Sequence, residues 1–279
     1  MRVKITYIAS SGNRYNLISN GIRHKKANYH DWEWKPEATK LQYGERLAGF
    51  FKDAGAYETD LQFYGPEKKR QALIDALHDD FELDIRTLKP GRLIWGDYYL
   101  DCFIRKSTTA PDSNPTWTSN KVGIYAPYPF WIQELKISLG KSETSGSGFL
   151  DFPYDFPYDY TAPVVGSRMV KRQFPFESEF EMVIFGPAVN PRITINDQPY
   201  VLLTTIPASA YAVIKSKDKT IMLYENGGVQ TNIFDFRNKT DSVFKRIPKG
   251  NLLITWDASF GVDLTIFHER SEPRIEVTS

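Results

Sequence analysis

The stretch YAVIKSKDKTIMLY, Tyr211–Tyr224, decides the fold class of this chain. Tyr211–Ser216 and Thr220–Tyr224 are short runs with period-two alternation, and Lys217-Asp218-Lys219 between them is turn chemistry. Two such runs across a polar turn read as paired strands. The pattern repeats outward in both directions. Val3, Ile5 and Tyr7 share one face of a first strand, with Lys4 and Thr6 on the other. Further runs are Tyr57–Tyr64, Tyr98–Arg105, Val122–Tyr125, Trp131–Leu139, Phe180–Phe185, Arg192–Ile195, Tyr200–Ile206, Leu252–Trp256 and Val262–His268. Asn226-Gly227-Gly228 and Pro248-Lys249-Gly250 supply further turns. Many short strands at this spacing predict a mainly β chain built as sandwiches or barrels.

One segment breaks the alternation. Gly65-Pro66-Glu67 opens a run of helix formers, with proline suited to the first helical position and Glu67 to the positive end of the dipole. The spacing predicts a single amphipathic helix over Glu67–His78, laid on a sheet through Ala72, Leu73, Ala76 and Leu77. His78 then falls in the last turn, where a partly positive imidazole suits the dipole.

Lys+Arg is 35 and Asp+Glu is 34, so a net charge of +1 gives no electrostatic footprint for nucleic acid or an anionic membrane. The N-terminus, MRVKITYIASSGNRYNL, has no apolar core of a signal peptide, and no stretch reaches the roughly 20 apolar residues of a bilayer span. The expectation is a soluble protein made in the cytoplasm. One cysteine, Cys102, excludes a disulfide framework and multi-cysteine metal sites, and its alternating run Tyr98–Arg105 predicts a buried thiol.

The ten residues Asp151–Tyr160, DFPYDFPYDY, are a tandem DFPY unit. Proline fixes φ and lacks an N–H, so the segment is expected to run extended, near polyproline II. Phe152, Tyr154, Phe156, Tyr158 and Tyr160 are costly to leave in water and mark this segment as a docking arm or an interdomain strap rather than a catalytic loop. The arm follows LGKSETSGSG, Leu139–Gly148, whose composition is that of a flexible hinge. The expected organisation is therefore a domain over 1–140, a hinge and arm over 141–160, and a domain over 161–279, whose last residues are free to return to the first.

No catalytic or metal-binding pattern stands out. The four histidines, His24, His30, His78 and His268, lack HExxH or helical i, i+4 spacing, and His24 and His30 are expected at loops or strand ends. Asp151, Asp155 and Asp159 recur every four residues without the glycine and asparagine turns of a calcium loop. GxSxG and GxxxxGK[ST] are absent. Trp32-Glu33-Trp34 places two indoles on one strand face, a geometry shared by sugar platforms and sandwich cores; the core is the expectation. No enzyme and no cofactor is expected.

The order of several motifs resembles one family, the distal tail proteins of long-tailed siphophages. YNL…GI…DWEWKP (Tyr15–Pro36) leads to an extended Tyr57–Gly65 segment and the helix from Pro66. PGRLIWGDYYLDC (Pro90–Cys102), PFWIQE (Pro129–Glu134) and the proline-tyrosine-aspartate arm at Phe149–Tyr160 follow. FGPAVNPRITIN (Phe185–Asn196), NIFDFRN (Asn232–Asn238), IPKGNLLITW (Ile247–Trp256) and ERSEPR (Glu269–Arg274) complete the set, which covers most of the chain.

The resemblance implies an N-terminal barrel- or sandwich-like domain with one helix that closes a hexameric ring, and a C-terminal galectin-like β-sandwich. Such rings join the tail tube protein to the tail-tip or baseplate hub and leave a channel for DNA. The implied partners are copies of the chain itself, the tail tube protein, the hub or tail-associated protein, and a receptor-binding or tape-measure protein. There is no sequence-specific nucleic acid and no membrane among them. The implied location is the tail tip of a virion assembled in a bacterial cytoplasm. A second reading is a carbohydrate-binding module that holds a host-surface glycan on the second sandwich. A third, a glycan-degrading enzyme, needs two converging carboxylates that no motif indicates.

Overall fold

The computed structural model describes residues 4–110, 116–141 and 166–274. The arm Asp151–Tyr160, with Phe152, Tyr154, Phe156, Tyr158 and Tyr160, lies outside the described residues, as does most of the hinge. The chain is mainly β, with one α-helix among the described residues. It divides into two compact units, Met1–Gln133 with Glu269–Ser279, and Glu134–His268.

The first unit holds β1 (Ile5–Ile8), β2 (Arg14–Asn16), β3 (Ile22–Ala27), β4 (Lys35–Lys40), β5 (Glu45–Phe51), β6 (Gly55–Tyr64), α1 (Glu67–Thr87), β7 (Gly91–Trp95), β8 (Tyr98–Ala110), β9 (Trp117–Ala126) and the start of β10 (Trp131–Leu139). β2, β1, β7, β8, β9, β6 and β3 pair antiparallel in that order. β8 serves three neighbours, its Tyr99 also pairing with Ile132 of β10. Its residues Tyr98–Cys102 pair with β7 and those from Phe103 onward pair with β9, with a register shift between Ile104 and Lys106. A bulge bends a strand and raises its twist, which lets the pairing turn a corner there. Alternation works as read: Tyr57, Leu61 and Phe63 of β6 point into the core with Tyr7, Leu77, Leu93, Leu100, Ile124 and Trp131, and Cys102 is buried among them.

The helix departs from its predicted length and face. It runs 21 residues to Thr87 and ends on Leu88 in the left-handed conformation, so His78 sits mid-helix rather than in the last turn. The buried face is Arg70, Ile74, Leu77, Asp80, Phe81 and Asp84, whereas Ala72 and Ala76 are exposed. Beyond the predicted end at His78, Asp80 accepts hydrogen bonds from Ser11 Oγ (2.7 Å), Asn13 Nδ2 (3.0 Å) and the Tyr15 hydroxyl. Asp84 accepts from the Ser10 N–H (2.8 Å) and the Tyr7 hydroxyl. Paired this way, two acids can be buried and the helix continues.

The second unit contains the remainder of β10, then β11 (Gly166–Val170), β12 (Glu179–Phe185), β13 (Ala188–Val189), β14 (Arg192–Ile195), β15 (Gln198–Val201), β16 (Thr205–Ile206), β17 (Tyr211–Lys215), β18 (Thr220–Tyr224), β19 (Gln230–Asn232), β20 (Leu252–Trp256) and most of β21 (Val262–Arg270). β21, β12, β17, β18 and β19 form one antiparallel sheet, and β11, β20, β14 and β15 another. Met182, Ile184, Ile214 and Ile221 from the first meet Ile193, Ile195, Leu252 and Ile254 from the second in one buried core, which makes a β-sandwich. The Tyr211–Tyr224 hairpin forms in the register its alternation dictates, Val213 opposite Met222. The predicted Tyr200–Ile206 run is instead two strands, broken at Leu203-Thr204.

Candidate assembly surface

Among the described residues, one element of the first unit joins no larger sheet. β4 and β5 pair only with each other, as a two-stranded hairpin whose turn closes through the Leu41 N–H on the Gly44 carbonyl (3.0 Å), with Gly44 at φ +79°. Directly opposed residues share a face, so Pro36 with Phe50 and Ala38 with Leu47 make one apolar stripe. Leu41 and Tyr43 extend it at the tip, where Tyr43 is 87% exposed. Every β4 residue is exposed, as is every β5 residue but Gly49. A hairpin alone is marginal in water, and a stripe of large apolar side chains on it is the signature of a surface that meets another molecule.

The feet of the hairpin are clamped. The Lys52 ammonium donates to the Pro129 carbonyl (2.7 Å) and lies 4.8 Å from the Phe130 ring centre and 6.0 Å from that of Trp34. Burial pushes the Lys52 ammonium down to about 8. Trp34 tilts against Phe130 at 5.8 Å, and its Nε1 donates to Ser271 Oγ (3.3 Å). Lys35 pairs with Asp53 across the two feet. The base is therefore fixed while the blade projects.

Trp32 and Trp34 correct the sequence reading. Residues 31–34 form no strand, and the two indoles are 53% and 38% exposed rather than core. A cleft of about 350 Å³ beside them is lined by Asp31, Glu33, Lys35, Lys52 and Asp53. Among the described residues no three His, Cys, Asp or Glu side chains are grouped to hold a metal ion.

The histidines go to separate structural tasks. His24 faces the Tyr29 hydroxyl at 3.3 Å and is held below its ordinary pKa by burial; His30 sits edge-on to Trp95. His78 Nε2 lies 2.8 Å from Asn120 Nδ2 and 3.2 Å from Ser107 Oγ, fastening α1 to β8 and β9. His268 Nε2 accepts from Arg172 Nε at 2.9 Å. Sequence reasoning did not find the hairpin. Its signal was the turn at Tyr43-Gly44 followed by the apolar run Leu47–Phe51, masked by Lys35, Glu37, Lys40, Glu45 and Arg46.

No family model matches the chain, and no curated protein matches it in sequence. Solved structures do match. The SPP1 Dit (gp 19.1) protein, described as a paradigm of the hub adsorption apparatus in phages that infect Gram-positive bacteria, superposes with a TM-score of 0.61 at 9% identity, covering 97% of this chain and all 100% of that one. A chain of the phage P2 baseplate in its activated conformation with Ca matches with a TM-score of 0.60 at 13% identity, covering 98% and 100%. The phage p2 baseplate with Sr gives 0.60 at 12% identity, again with 98% and 100% coverage. The chain shares its fold with these phage hub and baseplate components.

Proposed function

We propose that this chain is a structural component of a phage tail tip, closing a hexameric ring that joins the tail tube to the hub and leaves a channel for DNA. The observation that carries the reading is the β4–β5 hairpin, a projecting blade with an unpartnered apolar stripe on a clamped base. A closed ring requires each subunit to offer two different complementary edges, and such a blade is one of them. The fold-level likeness to hub and baseplate chains over nearly the whole length supports an assembly of that kind. A near-neutral chain suits a channel wall that must not grip DNA. Its partners would be further copies, the tube and hub proteins, and a neighbouring receptor-binding or tape-measure protein. Its place would be the virion tail. In this reading the chain is not an enzyme. Negative-stain electron microscopy at high protein concentration, alone and with tube and hub proteins, is the test. Sixfold rings with a central hole are expected; single particles under every condition would rule the ring out.

A second reading, glycan binding by the second unit, is favoured by one observation. Phe185, Tyr211 and Tyr224 stand in a row across β12, β17 and β18, beside Gln230, on the face away from the core. Saccharide-induced shifts in tyrosine resonances would support it, and their absence across a glycan panel would end it.

A further inference from the structure

The first unit contains an open groove of about 980 Å³ that the hairpin does not use. Its floor is the outer face of β3, β6 and β9. Arg23 opposes Gln62, and two residues along the same face Tyr64 opposes Trp117 in a cross-strand aromatic pair. Trp95, at the end of β7, and Ile18 supply apolar wall. The Lys25 ammonium stands 5.2 Å from the centre of the Trp117 ring. Among the described residues that line it there is no carboxylate, so their character is aromatic and cationic.

The chain carries one segment of the opposite character. DFPYDFPYDY has five aromatic residues, three aspartates, two prolines and no cation in ten positions. Proline-stiffened segments dock in aromatic-lined grooves because little backbone freedom remains to be lost on binding. Acid against Arg23 and Lys25 adds charge complementarity and fixes register. We propose that this groove receives the Asp151–Tyr160 segment of a neighbouring copy, its aromatic rings against Tyr64, Trp95 and Trp117 and its aspartates toward Arg23 and Lys25. The choice of a neighbouring copy rests on the ring reading, in which a donor edge on one subunit needs an acceptor on the next.

The test uses the full chain with Phe152, Tyr154, Phe156, Tyr158 and Tyr160 replaced by serine, titrated with a synthetic DFPYDFPYDY peptide and followed by tryptophan fluorescence and calorimetry. Saturable binding is expected, weakened about tenfold or more by Trp117→Ala and by Arg23→Glu, weakened by salt, and unchanged by Leu47→Ser in the hairpin. Arg23 is exposed, so its variant keeps the fold even if Trp117→Ala does not. No saturable binding, or binding that neither groove variant alters, overturns the site. A chain with Gln62→Cys is then mixed with one carrying Tyr158→Cys. A disulfide between copies supports the neighbour as donor; a cross-link that forms only within the doubly substituted chain overturns it. Peptide binding is read without rings, so binding in a protein that never assembles would uphold the groove while sinking the ring.

Discussion

Asp84 is fully buried, and what it holds decides how the helix meets the first strands. Its two oxygens take the Tyr7 hydroxyl and the Ser10 N–H, and burial together with this carboxylate pushes the Tyr7 phenol far above its ordinary pKa. Gly91 sits against the same pair, where a Cβ would come within 2.2 Å of the Tyr7 oxygen and 2.7 Å of Asp84 Oδ2. Asp84→Ala leaves the buried Tyr7 hydroxyl and the Ser10 N–H without their acceptor and is expected to cost on the order of 2 kcal/mol in chemical denaturation; a loss below about 0.5 kcal/mol would show that the pair is not structural. In the second unit the Arg172 guanidinium is buried among neutral acceptors, Pro248 O (2.8 Å), Phe176 O (3.3 Å), Ser178 Oγ and His268 Nε2 (2.9 Å). His268 also stacks on Phe174 at 4.3 Å. Burial, and then the neighbouring guanidinium, push His268 down to about 4. The unfolded chain takes up a proton near the ordinary histidine value of about 6.5 while the folded chain refuses it, so stability falls as pH drops from about 6.5 to 4. His268→Gln keeps an acceptor and removes the titration, and its denaturation midpoint should be flatter over that window than the wild type's. His24, also lowered by burial, is common to both proteins and cancels in the comparison. Parallel curves would refute the assignment.

At the scale of elements, the hairpin and the helix show what sequence could and could not carry. Strands with one face in a core were legible, because burial on one side imposes the period: Arg192–Ile195, Thr220–Tyr224 and Leu252–Trp256 stand where alternation puts them. The helix start was legible from Pro66-Glu67, but its second half was not, since Asp80 and Asp84 become core residues only through Tyr7, Ser10, Ser11, Asn13 and Tyr15, some 65 to 77 positions away. β4 and β5 were illegible for the opposite reason: with no core face there is no burial to impose a pattern, and Pro36 within β4 argues against a strand by itself. The same lack of packing makes a clear expectation. Replacing both Leu47 and Phe50 by serine should leave thermal stability unchanged to within about 0.5 kcal/mol, as for surface sites generally, while abolishing or weakening self-assembly. Light scattering and melting curves on the same samples separate the two effects; a variant that assembles normally would remove the hairpin from the interface.

At the scale of the whole molecule, the two units differ in how the chain builds them. The second is continuous from Glu134 to His268 and closes its own core around Met182, Ile184, Ile195, Ile214, Leu252 and Ile254. The first uses two separated pieces of chain, with Ser271 accepting from the Trp34 indole at the foot of the hairpin. A continuous unit with its own sandwich core meets the requirement for independent folding. Residues 134–268 expressed alone should therefore unfold in one cooperative transition, with dispersed amide resonances. Residues 1–133 alone lack the returning piece and should melt lower than the same unit in the full chain. The difference bears on assembly, because Ser271 reaches the clamp that aims the blade. Removing 269–279 should loosen the hairpin's base without disturbing the second sandwich, which would appear as faster amide exchange confined to Trp34, Lys52 and the β4–β5 residues. Exchange that rises evenly across the first unit would instead mean that the closing segment supports the core as a whole, and the blade only through it.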